Sequence, residues 1–171
     1  SEMCIRDRNI NEKKSFDVIV IGGGAAGMMA AITAASNGAD TMILEHKDRV
    51  GKKILSTGNG KCNFTNLHMS FSCYYGNTKL VQEILKQFTV EDTLAFFREI
   101  GIWPKEKNGY VYPNSGQASS VADALSAEMK RSGVSLITSC DIRQIRETKY
   151  GFEVRTSTCL LYTSPSPRDG A

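Results

Sequence analysis

FDVIVIGGGAAG, at residues 16–27, is the stretch that decides the fold of this chain. Its first six residues are mostly apolar and β-branched, which predicts a short strand buried on both faces. Small residues from Ala25 to Asn37 predict a helix that ends at Gly38. A second apolar strand is predicted at residues 41–45, with the acidic residue Glu45 as its last residue. This βαβ unit should have a right-handed crossover and parallel strands.

The glycines of this unit fit the pattern G-x-G-x-x-G. Gly22 permits a tight turn, Gly24 lets the backbone approach a diphosphate, and Gly27 lets the helix pack closely on the strand. The first helical residues, Ala25 and Ala26, offer unpaired amide groups and the positive end of the helix dipole. Because strand, helix and second strand all fall in register with the glycines, the pattern predicts a dinucleotide site.

Glu45 stands at the end of the second strand, where a carboxylate can accept hydrogen bonds from both hydroxyls of an adenosine ribose. The same charge would repel the 2′-phosphate of NADP. These glycines alone do not distinguish NAD from FAD, and a glycine-rich turn in an unrelated α/β protein is the alternative without a ligand.

The region from His46 to Phe71 has no apolar periodicity, and loops of this length are usually functional. Within it, residues 49–66 have the sequence RVGKKILSTGNGKCNFTN. This segment resembles the motif G-K-K-I-L-x-S-G-N-G-R-C-N-x-T-N of the BaiN/RdsA-type NAD(P)H/FAD-dependent oxidoreductases, the aminoacetone-oxidase-like flavoproteins. The resemblance covers nearly all of residues 17–155. Its small departures are Thr57, Phe64 and Lys61, which lacks the guanidinium fork of the usual arginine.

The resemblance implies that the cofactor is FAD, that NAD(P)H is a transient electron donor, and that an organic molecule accepts the hydride. It also implies a backbone contact from Ile142 to adenine, although Ile142 could equally be an ordinary core residue. No catalytic residue is assigned, because the missing C-terminal half should supply much of that site.

The residue types of the loop suit a flavin. Its glycines let the main chain pass against a flat ligand, its lysines supply cations for a diphosphate, and its asparagines offer donors and acceptors to a ring edge. A solvated basic loop is the alternative. Position 67 is Leu, so the cysteine pair of disulfide reductases is absent, and we interpret Cys62 as a small buried residue. The predicted cofactor contacts in the loop are Lys53, Gly58, Asn59, Gly60, Cys62 and Asn63.

We predict an α/β fold, a Rossmann-like FAD-binding domain that is incomplete and includes the start of an inserted or second region. The FAD-binding βαβ unit and flavin loop should span 9–76, a helical and hairpin segment 77–132, and returning strands 133–158. Asn108-Gly109 predicts a hairpin turn. The aromatic residues around that turn, Trp103, Tyr110 and Tyr112, could face a substrate, but we expect them to form the hairpin core.

Both ends look foreign. The tail CLLYTSPS, at residues 159–166, can be encoded by a DNA segment whose complementary strand, in another frame, encodes SEMCIRD at residues 1–7. We interpret this segment as an adapter used in preparing sequencing libraries. Residues 1–8 and 159–171 are therefore predicted not to be native, and the chain is expected to be an N-terminal fragment.

Composition narrows the function classes. A net charge of +3 is too small to argue for nucleic acid or an acidic membrane, and no long apolar span is present. We therefore expect a small-molecule substrate, no nucleic acid and no membrane, with the oligomeric state open. Of the five cysteines, Cys4 and Cys159 belong to the predicted foreign ends. The remaining three, Cys62, Cys73 and Cys140, show no paired spacing, which favours a reducing cytoplasm over disulfides and offers no metal site. The alternatives are an NAD-binding dehydrogenase domain and a non-redox, flavin-containing RNA-modifying or RNA-binding protein.

Overall fold

A computed structural model describes residues 15–157 and 159–163 of the chain. Among these residues the helices are α1 (Ala25–Ser36), α2 (Thr78–Gln87), α3 (Val90–Glu99) and α4 (Ala118–Arg131). The strands are β1 (Ser15–Phe16), β2 (Val18–Ile21), β3 (Thr41–Leu44), β4 (Thr65–Asn66), β5 (Pro104–Lys107), β6 (Tyr110–Pro113), β7 (Ser135–Ile137), β8 (Ile142–Thr148), β9 (Gly151–Thr156) and β10 (Leu160–Thr163).

The first compact unit comprises the described residues up to Lys52 and again those from Leu125 onward. Its parallel sheet has the strand order β2-β3-β7, and α1 packs on β2 and β3. This confirms the predicted βαβ unit. The central strand β3 is buried throughout, but β2 is an edge strand among the described residues, and Ile21 is 49% exposed. The prediction that the first strand is buried on both faces is therefore wrong.

A second sheet of this unit, with the strand order β1-β10-β9-β8, divides what the sequence predicts as one strand. The backbone amides of Asp17 and Val18 both donate to the Asp40 carbonyl, so the chain leaves one sheet and enters the other at Asp17. Phe16, Met42 and Leu161 belong to the core cluster of this unit. Residues 160–163 of the predicted foreign tail thus form a strand, while residues 1–14 and 164–171 lie outside the described residues. The origin of both ends stays a prediction.

The second compact unit is Lys53–Ala124 and contains the three-stranded sheet β4-β6-β5. The predicted hairpin turn is confirmed, because Asn108 and Gly109 both have positive φ, at 54° and 83°. The apolar side chains that share a face of α2 are largely exposed, with Leu80 at 53%, Ile84 at 55% and Phe88 at 47%. The two compact units do not follow the segments 9–76, 77–132 and 133–158, and the assignment of those segments to domains stays a prediction.

The aromatic residues of the hairpin do not form its core. Trp103 is 67% exposed and Tyr110 is 50% exposed, whereas their sequence neighbours Ile102 and Val111 are buried. Side chains alternate between the two faces of a strand, so the neighbours of buried residues point outward. The predicted hairpin core is therefore wrong for Trp103 and Tyr110.

Candidate nucleotide-binding site

The three glycines after β2 form the corner between strand and helix that the sequence predicts. Gly22 has a φ of +94° and donates its amide to the Leu44 carbonyl at 2.8 Å, so it ends the pairing of β2 with β3. A Cβ built on Gly27 would lie 1.9 Å from the Gly22 carbonyl oxygen. Because no real side chain tolerates that distance, glycine at 27 is what allows α1 to begin against the end of β2.

The beginning of α1 is open toward the space where a diphosphate would lie. Gly24 occupies the N-cap position in an extended conformation, and no side chain caps the helix there. A Cβ built on Gly24 would meet nothing within 4 Å, and Ala25 and Ala26 are exposed. The amides of the first helical turn, which a helix cannot satisfy internally, are therefore left for an outside acceptor.

Glu45 reaches this corner from the end of β3. Its Oε2 accepts a hydrogen bond from the Gly23 amide at 2.6 Å, and its Oε1 accepts one from the Lys47 amide at 2.6 Å. A carboxylate offers about four acceptor positions, so two remain for a ligand. The structure thus brings Gly22, Gly24, Gly27 and Glu45 together as the sequence predicts.

Gly23 is a functional position that the sequence analysis missed. A Cβ on Gly23 would lie 2.4 Å from Val50 Cγ1 and 3.2 Å from Glu45 Oε2, and the Gly23 carbonyl accepts from the Gly51 amide at 2.8 Å. The residue holds Glu45 and the start of the next loop against the corner. The motif leaves this position unspecified, so the pattern gave no signal for it.

Beyond the strands, the chain segments 45–47 and 137–141 are joined by further hydrogen bonds. Glu45 donates its amide to the Ile137 carbonyl at 2.9 Å, and its own carbonyl accepts from the Cys140 amide at 3.0 Å. His46 Nδ1 lies 2.6 Å from Asp141 Oδ1. Ile142, the predicted adenine contact, follows immediately as the first residue of β8 and packs against the core cluster.

The predicted flavin loop lies in the second unit and has an unusual backbone. Gly58, Asn59 and Gly60 have φ values of 54°, 53° and 79°, so three successive residues are left-handed. A Cβ on Gly58 would lie 2.8 Å from the Asn63 amide nitrogen. Lys53, Gly58, Asn59 and Gly60 are exposed and accessible to a ligand.

Two other predicted contacts of this loop are engaged within the second unit. The Asn63 side-chain amide donates to the carbonyls of Thr65 and Val111, each at 3.0 Å, so its remaining polar atom is Oδ1. Cys62 is 6% exposed, and burial raises the pKa of its thiol despite a hydrogen bond with Thr57 that lowers it. The structure thus supports a buried, weakly nucleophilic thiol. The contacts of Lys53, Gly58, Asn59, Gly60, Cys62 and Asn63 with a cofactor stay predictions.

A model of the HI0933-like protein Rossmann domain matches residues 16–164. The chain belongs to this family. The match and the curated relatives confirm the resemblance stated above for the glycine corner and the loop motif. The fold is accordingly α/β, with a Rossmann-type βαβ unit at its start.

Two curated proteins that are similar to this chain carry different names. The chain is 44% identical over 139 residues to the 3-dehydro-bile acid delta(4,6)-reductase of Clostridium scindens, which covers 80% of the chain and 34% of that protein. It is 30% identical, with the same coverage of both chains, to the ribosomal RNA dihydrouridine synthase of Escherichia coli. The chain therefore spans about a third of the length of these curated relatives.

Solved structures resemble the fold at low identity. The 3-ketosteroid-delta4-(5alpha)-dehydrogenase of Rhodococcus jostii RHA1 aligns with a TM-score of 0.66 at 14% identity, over 91% of this chain and 45% of its own. A flavocytochrome c3 fumarate reductase aligns with a TM-score of 0.65 at 16% identity, over 88% of this chain and 32% of its own. At this identity the likeness supports the fold alone.

Metal binding and membrane crossing are two further possibilities on which the described residues bear. Residues 15–157 and 159–163 hold no group of three His, Cys, Asp or Glu side chains arranged to bind a metal ion. Within the same residues, none of the helices has the length and apolar character needed to cross a bilayer.

Proposed function

We propose that this chain is the FAD-binding part of a flavin-dependent oxidoreductase. One observation supports this most: the carboxylate of Glu45 lies 2.6 Å from the Gly23 amide, beside an uncapped helix start with open space at Gly24. A diphosphate fits the amides of Gly24, Ala25 and Ala26, while Glu45 can accept from ribose hydroxyls.

FAD is favoured over NAD by family membership and by names among the weaker relatives. The flavin-containing amine oxidase A of Canis lupus familiaris is 35% identical over 65 residues, which cover 38% of this chain and 12% of that protein. We propose that Lys53, Gly58, Asn59, Gly60, Cys62 and Asn63 also contact FAD, with Asn63 using Oδ1, and that Ile142 contacts adenine through its backbone. An NAD-binding dehydrogenase domain would not need this loop motif.

Bound to this chain, FAD would supply two-electron chemistry between NAD(P)H and an organic acceptor. A small-molecule acceptor is supported by the relative at 44% identity, whose name denotes a reductase of a bile acid. The protein residues hold and orient the cofactor. We propose a reducing compartment such as the cytoplasm, because Cys62, Cys73 and Cys140 have no paired spacing in the sequence.

The test is the visible spectrum of the full-length gene product. We expect flavin absorbance that survives gel filtration and bleaches when NADH or NADPH is added without oxygen. A colourless protein that binds nicotinamide would instead favour the dehydrogenase. The 171-residue chain alone should not retain stoichiometric FAD, because β2 is an edge strand among the described residues.

A second candidate function, modification of RNA, is favoured by one face of the β5–β6 hairpin. Lys105 pairs with Tyr112 and Lys107 pairs with Tyr110, so both lysines share a face with both tyrosines. Trp103 directly precedes β5 and is 67% exposed. Exposed rings with cations between them suit the stacked bases and phosphates of single-stranded RNA. The relative named ribosomal RNA dihydrouridine synthase is consistent with this candidate.

This candidate is tested by the anisotropy of a labelled single-stranded RNA mixed with the purified chain. The double variant Trp103→Ala and Lys107→Ala should weaken binding about tenfold or more, since each stacked base contributes about 1–3 kcal/mol. Tyr75→Ala with Lys79→Ala removes another exposed ring and cation from the same unit, away from the hairpin, and should change little. Equal binding by all three proteins would remove RNA as a candidate.

A further inference from the structure

We infer that His46 and Asp141 form a positioning pair for the adenosine end of the bound nucleotide. The inference rests on the proposed function and adds to it two residues to which neither the glycine motif nor the family resemblance gives a role. Its basis is a hydrogen bond between residues that are 95 positions apart in the chain.

The pair joins the two chain segments that the sequence assigns to adenosine. His46 directly follows Glu45, the predicted ribose contact, and Asp141 directly precedes Ile142, the predicted adenine contact. The His46 Nδ1 to Asp141 Oδ1 distance of 2.6 Å therefore bridges the neighbours of both. A carboxylate only accepts, so Nδ1 carries the proton and donates, which leaves Nε2 at the far edge of the ring.

The surrounding backbone makes the pair a fixed feature. The Ser139 amide donates to the Lys47 carbonyl at 2.8 Å, and the Cys140 amide donates to the Glu45 carbonyl at 3.0 Å. Ser139 is held at a φ of +51°, which a residue with a side chain rarely adopts. The two segments are thus bonded on either side of His46, which fixes the backbone from which the imidazole reaches Asp141.

The pair is also accessible to a ligand. The His46 side chain is 67% exposed and that of Asp141 is 48% exposed, so their contact itself adds little to the stability of the fold. The hydrogen bond between His46 and Asp141 contributes little to stability and lies between two predicted nucleotide contacts. A role in binding explains it better: it orients the imidazole ring beside the adenosine. The Lys47 amide, next in the chain, holds Oε1 of Glu45 at 2.6 Å, so the same turn also orients the ribose carboxylate.

The test compares two ligands that differ only at the adenosine end. ADP and inorganic pyrophosphate are titrated into the purified chain, and dissociation constants are measured from amide chemical shifts. His46→Ala and Asp141→Ala should each weaken ADP about three- to tenfold, the range of one hydrogen bond, and leave pyrophosphate unchanged. Asp141→Asn keeps an acceptor oxygen and should retain most of the ADP affinity.

The double variant should be no weaker than either single variant, because the two residues act as one unit. Arg146→Ala is the control and should leave both ligands unchanged. It removes an exposed guanidinium from its ion pair with the buried Glu153, while Arg155 stays 3.8 Å from that carboxylate. Equal loss of ADP and pyrophosphate would overturn the inference, since it would mean a general loss of structure. Unchanged ADP binding in both single variants would overturn it as well. If neither the unaltered chain nor the full-length gene product binds ADP, the proposed function itself fails.

Discussion

Helices α1 and α3 begin in opposite ways. At α3, Thr89 Oγ1 accepts from the Asp92 amide at 3.1 Å, and Asp92 Oδ2 accepts from the Thr89 amide at 2.8 Å, so the helix satisfies its own first amides. At α1, the N-cap is Gly24 and no side chain fills that role. The chain therefore caps α3 with its own side chains but leaves the beginning of α1 uncapped, at the glycine corner that follows β2.

Closing α1 in the manner of α3 should have the largest effect. Gly24→Asp places a capping carboxylate where a Cβ meets nothing within 4 Å. The cap should stabilise the free chain slightly, by roughly a few tenths of a kcal/mol, because glycine is itself a fair N-cap residue. The same charge should repel a diphosphate and weaken ADP about a hundredfold, because like charges in contact cost several kcal/mol. Thermal unfolding and an ADP titration measure the two effects. Retained ADP binding would show that the open helix start does not hold phosphate.

The second prediction concerns the carboxylate beside the open helix. Glu45→Gln keeps one acceptor oxygen for the Gly23 amide but removes the charge. We expect ADP to bind roughly tenfold more weakly, since hydrogen bonds to a charged group contribute about 1.5–3 kcal/mol. Adenosine 2′,5′-bisphosphate should be affected less, because the repulsion of its 2′-phosphate is also lost. Equal weakening of both ligands would contradict the role of Glu45 at the ribose.

A third prediction separates the glycine needed by the fold from the glycine needed by the ligand. Gly27→Ala forces a methyl group to within 1.9 Å of the Gly22 carbonyl oxygen. The helix must shift, which should lower the free energy of unfolding by about 1–3 kcal/mol. Gly24→Ala is the matched control, because its methyl group enters open space and should leave the urea midpoint nearly unchanged. Equal midpoints for the two variants would mean that α1 does not pack on β2 as described.

The smallest effect is expected at the capped helix. Thr89→Ala removes one half of the capping box and should cost about 1 kcal/mol of stability without changing ADP affinity. Hydrogen bonds from Thr89, first from its backbone amide, lower the pKa of Asp92. Because folding lowers this pKa, the hydrogen bonds stabilise the fold fully above the pKa of the unfolded chain, about 3.9. This stabilisation is lost as the pH falls through the pKa of the folded chain. The difference between Thr89→Ala and the unaltered chain should therefore shrink in acid. A difference that grows in acid would contradict the capping box.

The sequence predicts the open helix better than its surroundings. Gly22, Gly24, Gly27 and Glu45 follow from a local pattern whose spacing is set by one strand, one turn and one helix. The break at Asp17 does not follow, because it depends on hydrogen bonds to the Asp40 carbonyl from across the crossover. The outward direction of Trp103 does not follow either. The apolar residues Ile102 and Trp103 suggest a strand that begins at 102, but β5 begins only at Pro104, so Trp103 lies outside the strand.

The His46–Asp141 contact illustrates a different limit. It joins residues 95 positions apart, and neither has a neighbour pattern that marks it. Such contacts arise from the order of the parallel strands β3 and β7, which brings the segments after both strands together at one edge of the sheet. A single sequence does not reveal which strands are neighbours in the sheet, or which side chains meet as a result.

The most direct measurement is an ADP titration of the isotopically labelled chain followed through its backbone amide resonances. We expect saturable shifts of the amides of Gly24, Ala25 and Ala26 and of those near Glu45. We expect no shift at the Asp92 amide, which already donates to Thr89 Oγ1. Absence of saturable shifts at the beginning of α1, or shifts that appear at α3 instead, would contradict this expectation.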